Sequence, residues 1–222
     1  MDVRSWPARH SVEAAAFAGV ACAMQLALTA FLISRQPGIG ASDAEIASWF
    51  ANPSNRETVL VGLNLAPIGA VSFLWFIAVI RKRIGDREDR FFATAFLGSG
   101  VVFAILAVTS AVAAAAPTLV VQYGGAASPD RQTVALAHGL WFGLYVVSGS
   151  RFAAVFMFAT STVGSRFGAF PRWLTMFGYV VAVVLFVAGG FSSSLDFLFP
   201  AWLLVVSVAL LMRRREAAEA NV

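Results

Sequence analysis

The stretch FFATAFLGSGVVFAILAVTSAVAAAA, Phe91–Ala116, is 26 residues long and carries no charged side chain. A helix of about 20 apolar residues crosses the hydrocarbon core of a bilayer, which is about 30 Å thick. The apolar residues of this stretch do not alternate with polar ones, as the strands of a membrane barrel must. The stretch therefore predicts a transmembrane helix, and with it an all-α membrane fold.

The composition of the whole chain extends this prediction. Of the 222 residues, 59% are hydrophobic and only 13% are charged, whereas soluble domains have about 25% charged residues. Mean hydropathy is +0.77. Six apolar runs are candidate spans, of which the fifth and sixth are short but dense in Val, Leu and Phe. We therefore predict a single transmembrane domain, residues 1–222, that forms a polytopic helical bundle. The predicted spans are residues 12–34, 58–80, 91–116, 132–160, 173–189 and 197–212.

The positions of the basic residues predict the orientation of the bundle. With six spans, twelve Lys and Arg residues fall on the side of the two termini, including five in RKRIGDREDR, residues 81–90. Only Arg35, Arg56 and Arg131 fall on the other side. Cytoplasmic loops carry the excess of Lys and Arg. Both termini are therefore predicted to be cytoplasmic.

The longest outer loop, residues 35–57, contains the segment SDAEIASWF. Ser42 and Glu45 have the spacing of a capping box, in which each residue caps the first turn of a helix. Ile46, Trp49 and Phe50 follow at helical spacing on one face. We predict a short amphipathic helix on the outer surface. The alternative is a lid over an outward-facing cavity.

Three segments carry a resemblance to a known family. They are ASDAEIASWFANPSNRETVLVG (residues 41–62), FLWFIAVIRKRIG (residues 73–85) and GAFPRWLTMFGYV (residues 168–180). The chain resembles uncharacterised six-span integral membrane proteins common in actinobacteria, which share a domain of unknown function. The resemblance covers most of the chain from Ala41 onward. It implies a six-span fold in the cytoplasmic membrane and assigns no catalytic residue.

Several kinds of chemistry lack the residues they need. Lys82 is the one lysine and falls in a predicted loop, so no lysine is placed to hold retinal. The two histidines, His10 and His138, are predicted on opposite sides, which excludes a paired haem ligation. Cys22 is the one cysteine and has no neighbouring ligand set. The basic residues form short clusters and no stripe, so nucleic acid is not expected. We predict no cofactor, no metal and no catalytic residue.

Polar residues inside apolar spans are costly, which makes them the default candidates for a binding site. The candidates are Gln25, Asn64, His138, Arg151 and Asp196. One hypothesis is an outward polar pocket formed by several helices. The other is that these residues join helices through hydrogen bonds, each worth about 0.6 kcal/mol on average. The motif GLWFG, Gly139–Gly143, predicts close packing of another helix against the fourth span.

Arg151 interrupts LYVVSGSRFAAVFMF, Leu144–Phe158, which is otherwise uncharged. Counting about 20 residues from the start of the fourth span places Arg151 at the inner interface, where its side chain would extend to lipid phosphates. A deeper position would require a partner. Glu13, at the cytoplasmic end of the first span, is the predicted structural partner. An anionic lipid headgroup is the functional alternative.

These observations favour a non-enzymatic protein of the cytoplasmic membrane that binds a lipid or another hydrophobic ligand. Membrane lipid is then the expected partner, together with a larger membrane protein complex or further copies of the chain. A small secondary transporter or channel subunit is the alternative. A lipid-modifying enzyme is a third hypothesis, and it requires His138 and Asp196 to meet in one pocket.

Overall fold

The computed structural model of the protein describes residues 8–84, 90–166, 168 and 170–219. Within these residues, the side chains of 8–15, 82–84, 90–93, 193, 196 and 213–219 are not described. The α-helices are α1 (Ala8–Ile33), α2 (Asp43–Ala51), α3 (Pro53–Ile84), α4 (Arg90–Gly124), α5 (Arg131–Trp141), α6 (Ser150–Arg166), α7 (Arg172–Ala188) and α8 (Leu198–Glu219). A π-helical segment, Phe142–Gly149, joins α5 to α6, and a 3-10 segment, Ser193–Phe197, precedes α8. The described residues contain no strand, so the all-α prediction is confirmed.

Four helical segments are long and apolar enough to cross a membrane. They are Ala16–Ile33, Pro53–Arg81, Thr94–Gly124 and Arg131–Arg166, with mean hydropathies of 2.0, 2.1, 2.1 and 1.5. These segments coincide with the first four predicted spans. Arg172–Ala188 and Leu198–Met212, the predicted fifth and sixth spans, form shorter apolar helices.

The helix that contains the third predicted span, α4, is longer than that span. We predicted that this span ends at Ala116, but α4 runs through Pro117 to Gly124. Proline lacks an N–H and disrupts the hydrogen bonds of the preceding turn, and neighbouring side chains compensate for this in apolar bundles. The Gln36 amide donates to the carbonyl of Ala114, one turn before Pro117, at 3.1 Å.

An aromatic cluster forms the centre of the bundle. The helices pack in the order α8, α1, α3, α4, α6 and α7, and α8 returns to contact α7. Phe73, Phe103, Phe156, Phe199 and Trp202 come from four of these helices, α3, α4, α6 and α8, and are all buried. Their ring centroids approach to 4.5 Å between Phe103 and Phe199 and to 5.0 Å between Phe73 and Phe156. Edge-to-face pairs of this kind contribute about 0.5 to 1.5 kcal/mol beyond burial.

The helices differ greatly in length, and this sets the relative height of their ends. The continuous helix Arg131–Arg166 has 36 residues, whereas α7 has 17. At about 1.5 Å per residue these lengths are about 54 Å and about 25 Å. A Cβ at Gly189, just after α7, would overlap the Oγ of Ser150. The turn after α7 therefore lies beside the middle of the long helix and not beside its Arg131 end.

Candidate functional site

A cavity of about 250 Å³ lies under α2, and we call it the α2 cavity. Its walls come from the end of α1, from α2, from the last third of α4 and from α5. The lining includes Ile33, Gln36, Phe50, Ala137, His138 and Trp141. Most of these side chains are apolar, and the polar groups are few. This composition is typical of sites that bind small hydrophobic molecules.

The helix α2 is fixed at its beginning by the predicted capping box, which is confirmed. The Ser42 N–H donates to the Glu45 carboxylate at 2.8 Å, and the Glu45 N–H donates to the Ser42 hydroxyl at 3.3 Å. These bonds lower the pKa of Glu45. Ile46 and Phe50 are buried with Val134 of α5. The apolar face of α2 therefore packs onto α5, and Phe50 closes the α2 cavity.

The end of α2 is held by side chains of α3. The Asn55 amide donates to the Trp49 carbonyl at 3.0 Å, and the Arg56 guanidinium donates to the Phe50 carbonyl. Arg56 also donates to the side-chain oxygen of Gln122 on α4 at 3.2 Å. Helix termini leave carbonyls without partners, and these contacts satisfy two of them. The end of α2 is thus attached to the bundle.

Two polar side chains in the α2 cavity differ in whether they have hydrogen-bonding groups available to a ligand. Gln36 donates to the carbonyl of Ala114 and accepts from the Thr118 hydroxyl at 3.3 Å, so its amide is used by the fold. His138 is partly buried and makes an edge contact with Trp141, with ring centroids 5.2 Å apart. Among the described residues, nothing hydrogen-bonds to the His138 ring. Its nitrogens are available to a ligand, one as donor and one as acceptor when the ring is neutral.

A second, smaller void of about 20 Å³ lies deeper in the bundle. It shares Ile33 and Trp141 with the α2 cavity and is also lined by Thr29, Ser110 and Tyr145. A space of this size is enough for about one water molecule. The Trp141 side chain lies between the two spaces and is the common wall of both.

The π-helical segment begins directly after Trp141. At its end the Ser150 N–H donates to the Tyr145 carbonyl, five residues earlier, and the Ser148 hydroxyl also donates to the Gly143 carbonyl at 2.9 Å. π-Helical turns are rare in proteins, and many of those that do occur lie at functional sites. Here the segment changes the helical register between α5, whose side chains line the α2 cavity, and α6, which packs into the aromatic core.

The predicted site residues do not all meet in one pocket. His138 lines the α2 cavity. Asn64 is exposed, and its amide donates to the Leu60 carbonyl of its own helix at 2.8 Å. Gln25 accepts from the Ser72 hydroxyl at 3.0 Å and so links α1 to α3. Gln25 therefore joins two helices, as our second hypothesis describes, whereas Asn64 bonds only to its own helix.

Arg151 lies near the middle of the helix Arg131–Arg166, beside the turn that follows α7, and its depth in a membrane stays a prediction. Its guanidinium donates to the Val147 carbonyl, and its Nη1 is 3.8 Å from where a Cβ at Gly190 would stand. Gly190 follows the end of α7 that is opposite Arg172. Our estimate counted about 20 residues from the start of the span at residue 132, but the helix continues to Arg166, fifteen residues beyond Arg151.

Two predicted residues have side chains outside the described set. They are Glu13, in the first half of α1, and Asp196, in the 3-10 segment that packs against the π-helical segment. The predicted pair of Glu13 and Arg151 therefore stays a prediction. The same holds for a meeting of His138 and Asp196.

Gly139 and Gly143 have a different role from the one we predicted. A Cβ at either position would meet no atom within 4 Å. Among the residues that the structure describes, no helix packs close against either glycine, so the prediction of close packing was wrong. The central Trp141 of the GLWFG motif is the residue that matters here, because it lines the α2 cavity.

Comparison with known proteins identifies no relative of the chain. No protein-family model, no curated protein and no solved structure matches the chain. The resemblance to six-span proteins of unknown function therefore stays a prediction, and functional inference rests on the geometry of the chain itself.

Proposed function

We propose that the protein is a six-span, non-enzymatic component of the cytoplasmic membrane that binds a small hydrophobic molecule in the α2 cavity. The observation that carries the proposal is an apolar cavity of about 250 Å³ lined by a histidine with no described hydrogen-bond partner. The bound molecule enters at the outer surface, beneath α2. The loaded protein then acts alone, as copies of the same chain or within a larger membrane complex.

The size and chemistry of the α2 cavity define the class of ligand. Drug-sized pockets have volumes of about 300 to 1,000 Å³, so this cavity suits a smaller molecule. Apolar walls favour a compact ring or short chain, and His138 favours one hydroxyl or carbonyl group on it. A phenol or naphthol has both properties.

The aromatic core favours binding over conduction. A transporter or channel requires polar groups along a path through the bundle. Below the small void, Phe73, Phe103 and Phe156 fill the centre with rings in contact. The α2 cavity is thus a closed-ended space, which suits a ligand that enters and leaves on the same side.

The proposed orientation can be tested by thiol labelling of intact cells. We expect cysteines introduced at Ser42 and Ser128 to react with an impermeant maleimide, and one introduced at Asp86 to react only after lysis. Asp86 lies outside the described residues and is chosen from the sequence. The native Cys22 is fully buried and gives little background. Labelling at Asp86 in intact cells would reverse the orientation.

Ligand binding is tested with naphthol and the purified protein in mild detergent. We expect one naphthol per chain, detected by a change in tryptophan fluorescence through Trp141. Ala137→Phe fills the cavity and should weaken binding at least about tenfold, since overpacked sites reject a ligand. His138→Ala should also weaken binding by about tenfold, through the loss of one hydrogen bond.

The control is Leu136→Phe, which adds bulk on the same helix at a side chain that is 65% exposed and outside the cavity lining. It should bind naphthol like the native protein. His138→Ala should leave the melting temperature nearly unchanged, because the ring bonds to no described residue. Equal binding by the native protein and Ala137→Phe would refute the α2 cavity as the site.

A further inference from the structure

A second apolar space, unrelated to the α2 cavity, runs between α6 and α7. We call it the α6–α7 groove. It has a volume of about 500 Å³ and is lined by Val155 and Phe158 on α6 and by Val183, Phe186 and Val187 on α7, with alanines at its base. The side chains of Val183 and Val187 are 56% and 66% exposed. The groove is therefore open along its length and is wide enough for an acyl chain.

Arg151 stands at one end of this groove. On α6, Arg151, Val155 and Phe158 follow at i, i+4 and i+7, which places them on one face of the helix. Just after α7, Gly190 comes three residues beyond Val187, and Gly190 is the residue that Arg151 approaches. The Arg151 guanidinium and the apolar α6–α7 groove thus lie next to each other along the same pair of helices.

Most N–H donors of the Arg151 guanidinium have no acceptor among the described residues. It has five N–H donors, and the described structure gives it one acceptor, the Val147 carbonyl. No described carboxylate forms an ion pair with it. A cation beside apolar surface is costly unless a negative group accompanies it, and a phosphate accepts two parallel hydrogen bonds from one guanidinium.

We propose that Arg151 binds the phosphate of an anionic phospholipid whose acyl chain lies in the α6–α7 groove. In the proposed orientation, this lipid belongs to the outer leaflet. Gly190 is eighteen residues beyond Arg172, or about 27 Å at the rise of an α-helix. That distance is close to the thickness of about 30 Å of a hydrocarbon core. Along α7 the phosphate therefore meets Arg151 near headgroup depth, and residues 131–150 of the long helix extend beyond that depth.

The experiment compares lipid retention among matched variants in nanodiscs and by native mass spectrometry. Phosphatidylglycerol is the probe, and phosphatidylcholine is the neutral reference. We expect the native protein to retain phosphatidylglycerol selectively. Arg151→Gln should weaken retention about tenfold, because a charge-assisted pair is worth at least one such factor. Arg151→Lys should have a smaller effect, since lysine keeps the charge but loses the planar fork.

The groove is tested separately from the charge. Val183→Phe fills the groove and should also weaken retention, whereas Val180→Phe makes the same change outside the groove at a side chain with 57% exposure. Arg131→Gln removes an exposed cation elsewhere on the same side. Both controls should retain phosphatidylglycerol like the native protein.

Two results would overturn the proposal. In the first, Arg151→Gln lowers the melting temperature and leaves lipid retention unchanged, and Glu13→Gln or Asp196→Asn in the same chain restores the stability. Arg151 would then be part of an internal ion pair. In the second, inorganic phosphate displaces the lipid and Val183→Phe has no effect, which would leave an anion site without a bound acyl chain.

Discussion

Replacing Trp202 with alanine should lower the free energy of unfolding by about 3 kcal/mol, the low end of the range for large aromatic truncations in protein cores. Trp202 is fully buried. Its ring stacks on Phe199, with centroids 6.1 Å apart, and meets the edge of Phe156 at 6.3 Å. Because helices already surrounded by lipid gain little from hiding apolar surface, lost packing accounts for most of the cost.

The effect can be measured by thermal and denaturant unfolding in mild detergent. Trp75→Ala is the matched control, because the Trp75 side chain is 66% exposed and should lose little packing. Trp202→Phe should cost much less than Trp202→Ala, since the Trp202 Nε1 has no hydrogen-bond partner among the described residues. Equal destabilisation at Trp75 and Trp202 would contradict the central role of the aromatic cluster.

Gly178→Ala should destabilise the protein by about 2 kcal/mol, within the range for overpacking a core. A Cβ at Gly178 would overlap the Ser161 Oγ and would stand 3.2 Å from the Ser161 Cβ and 3.1 Å from the Trp202 Nε1. Small residues allow α6 and α7 to approach closely here. One methyl group on α7 would force these helices apart.

A second change in the same chain tests the cause of this loss. Ser161→Gly removes both the Oγ and the Cβ that the new methyl group would meet, so the double variant should recover much of the stability. Gly98→Ala is the control, because a Cβ there meets no atom within 4 Å and alanine favours a helix by about 1 kcal/mol. Additive losses from Gly178→Ala and Ser161→Gly would show that the two positions are not in contact.

Hydropathy along the chain predicted the helices well but could not predict their relative heights. The first four predicted spans coincide with long apolar helices, because a run of about 20 apolar residues rarely adopts another structure. The depth of Arg151 was a different problem. We counted from one end of its helix, whereas the neighbouring α7 and its turn at Gly190 determine what surrounds the guanidinium. That information lies in packing between segments and not in any one segment.

The candidate site was predicted only in part, for a similar reason. His138 was found because a polar residue in an apolar run is conspicuous. Gln36 lies in a loop and Phe50 in a short helix, so neither stands out until α2 folds over α5. The capping box gave the local signal for α2. No local signal shows which other helix α2 packs against. The α2 cavity exists only because α2 packs onto α5.

The π-helical segment has a consequence for the tolerated length of the chain. At the end of Phe142–Gly149 the Ser150 N–H donates to the Tyr145 carbonyl five residues back, whereas an α-helical N–H donates to the carbonyl four residues back. Such a turn accommodates one residue more than an α-helical turn does. Removal of a single residue here would let the helix return to regular geometry while α5 and α6 keep their present neighbours. A deletion elsewhere in α6 would rotate every later side chain of that helix by about 100°. Natural variation in chain length should therefore concentrate between Trp141 and Ser150.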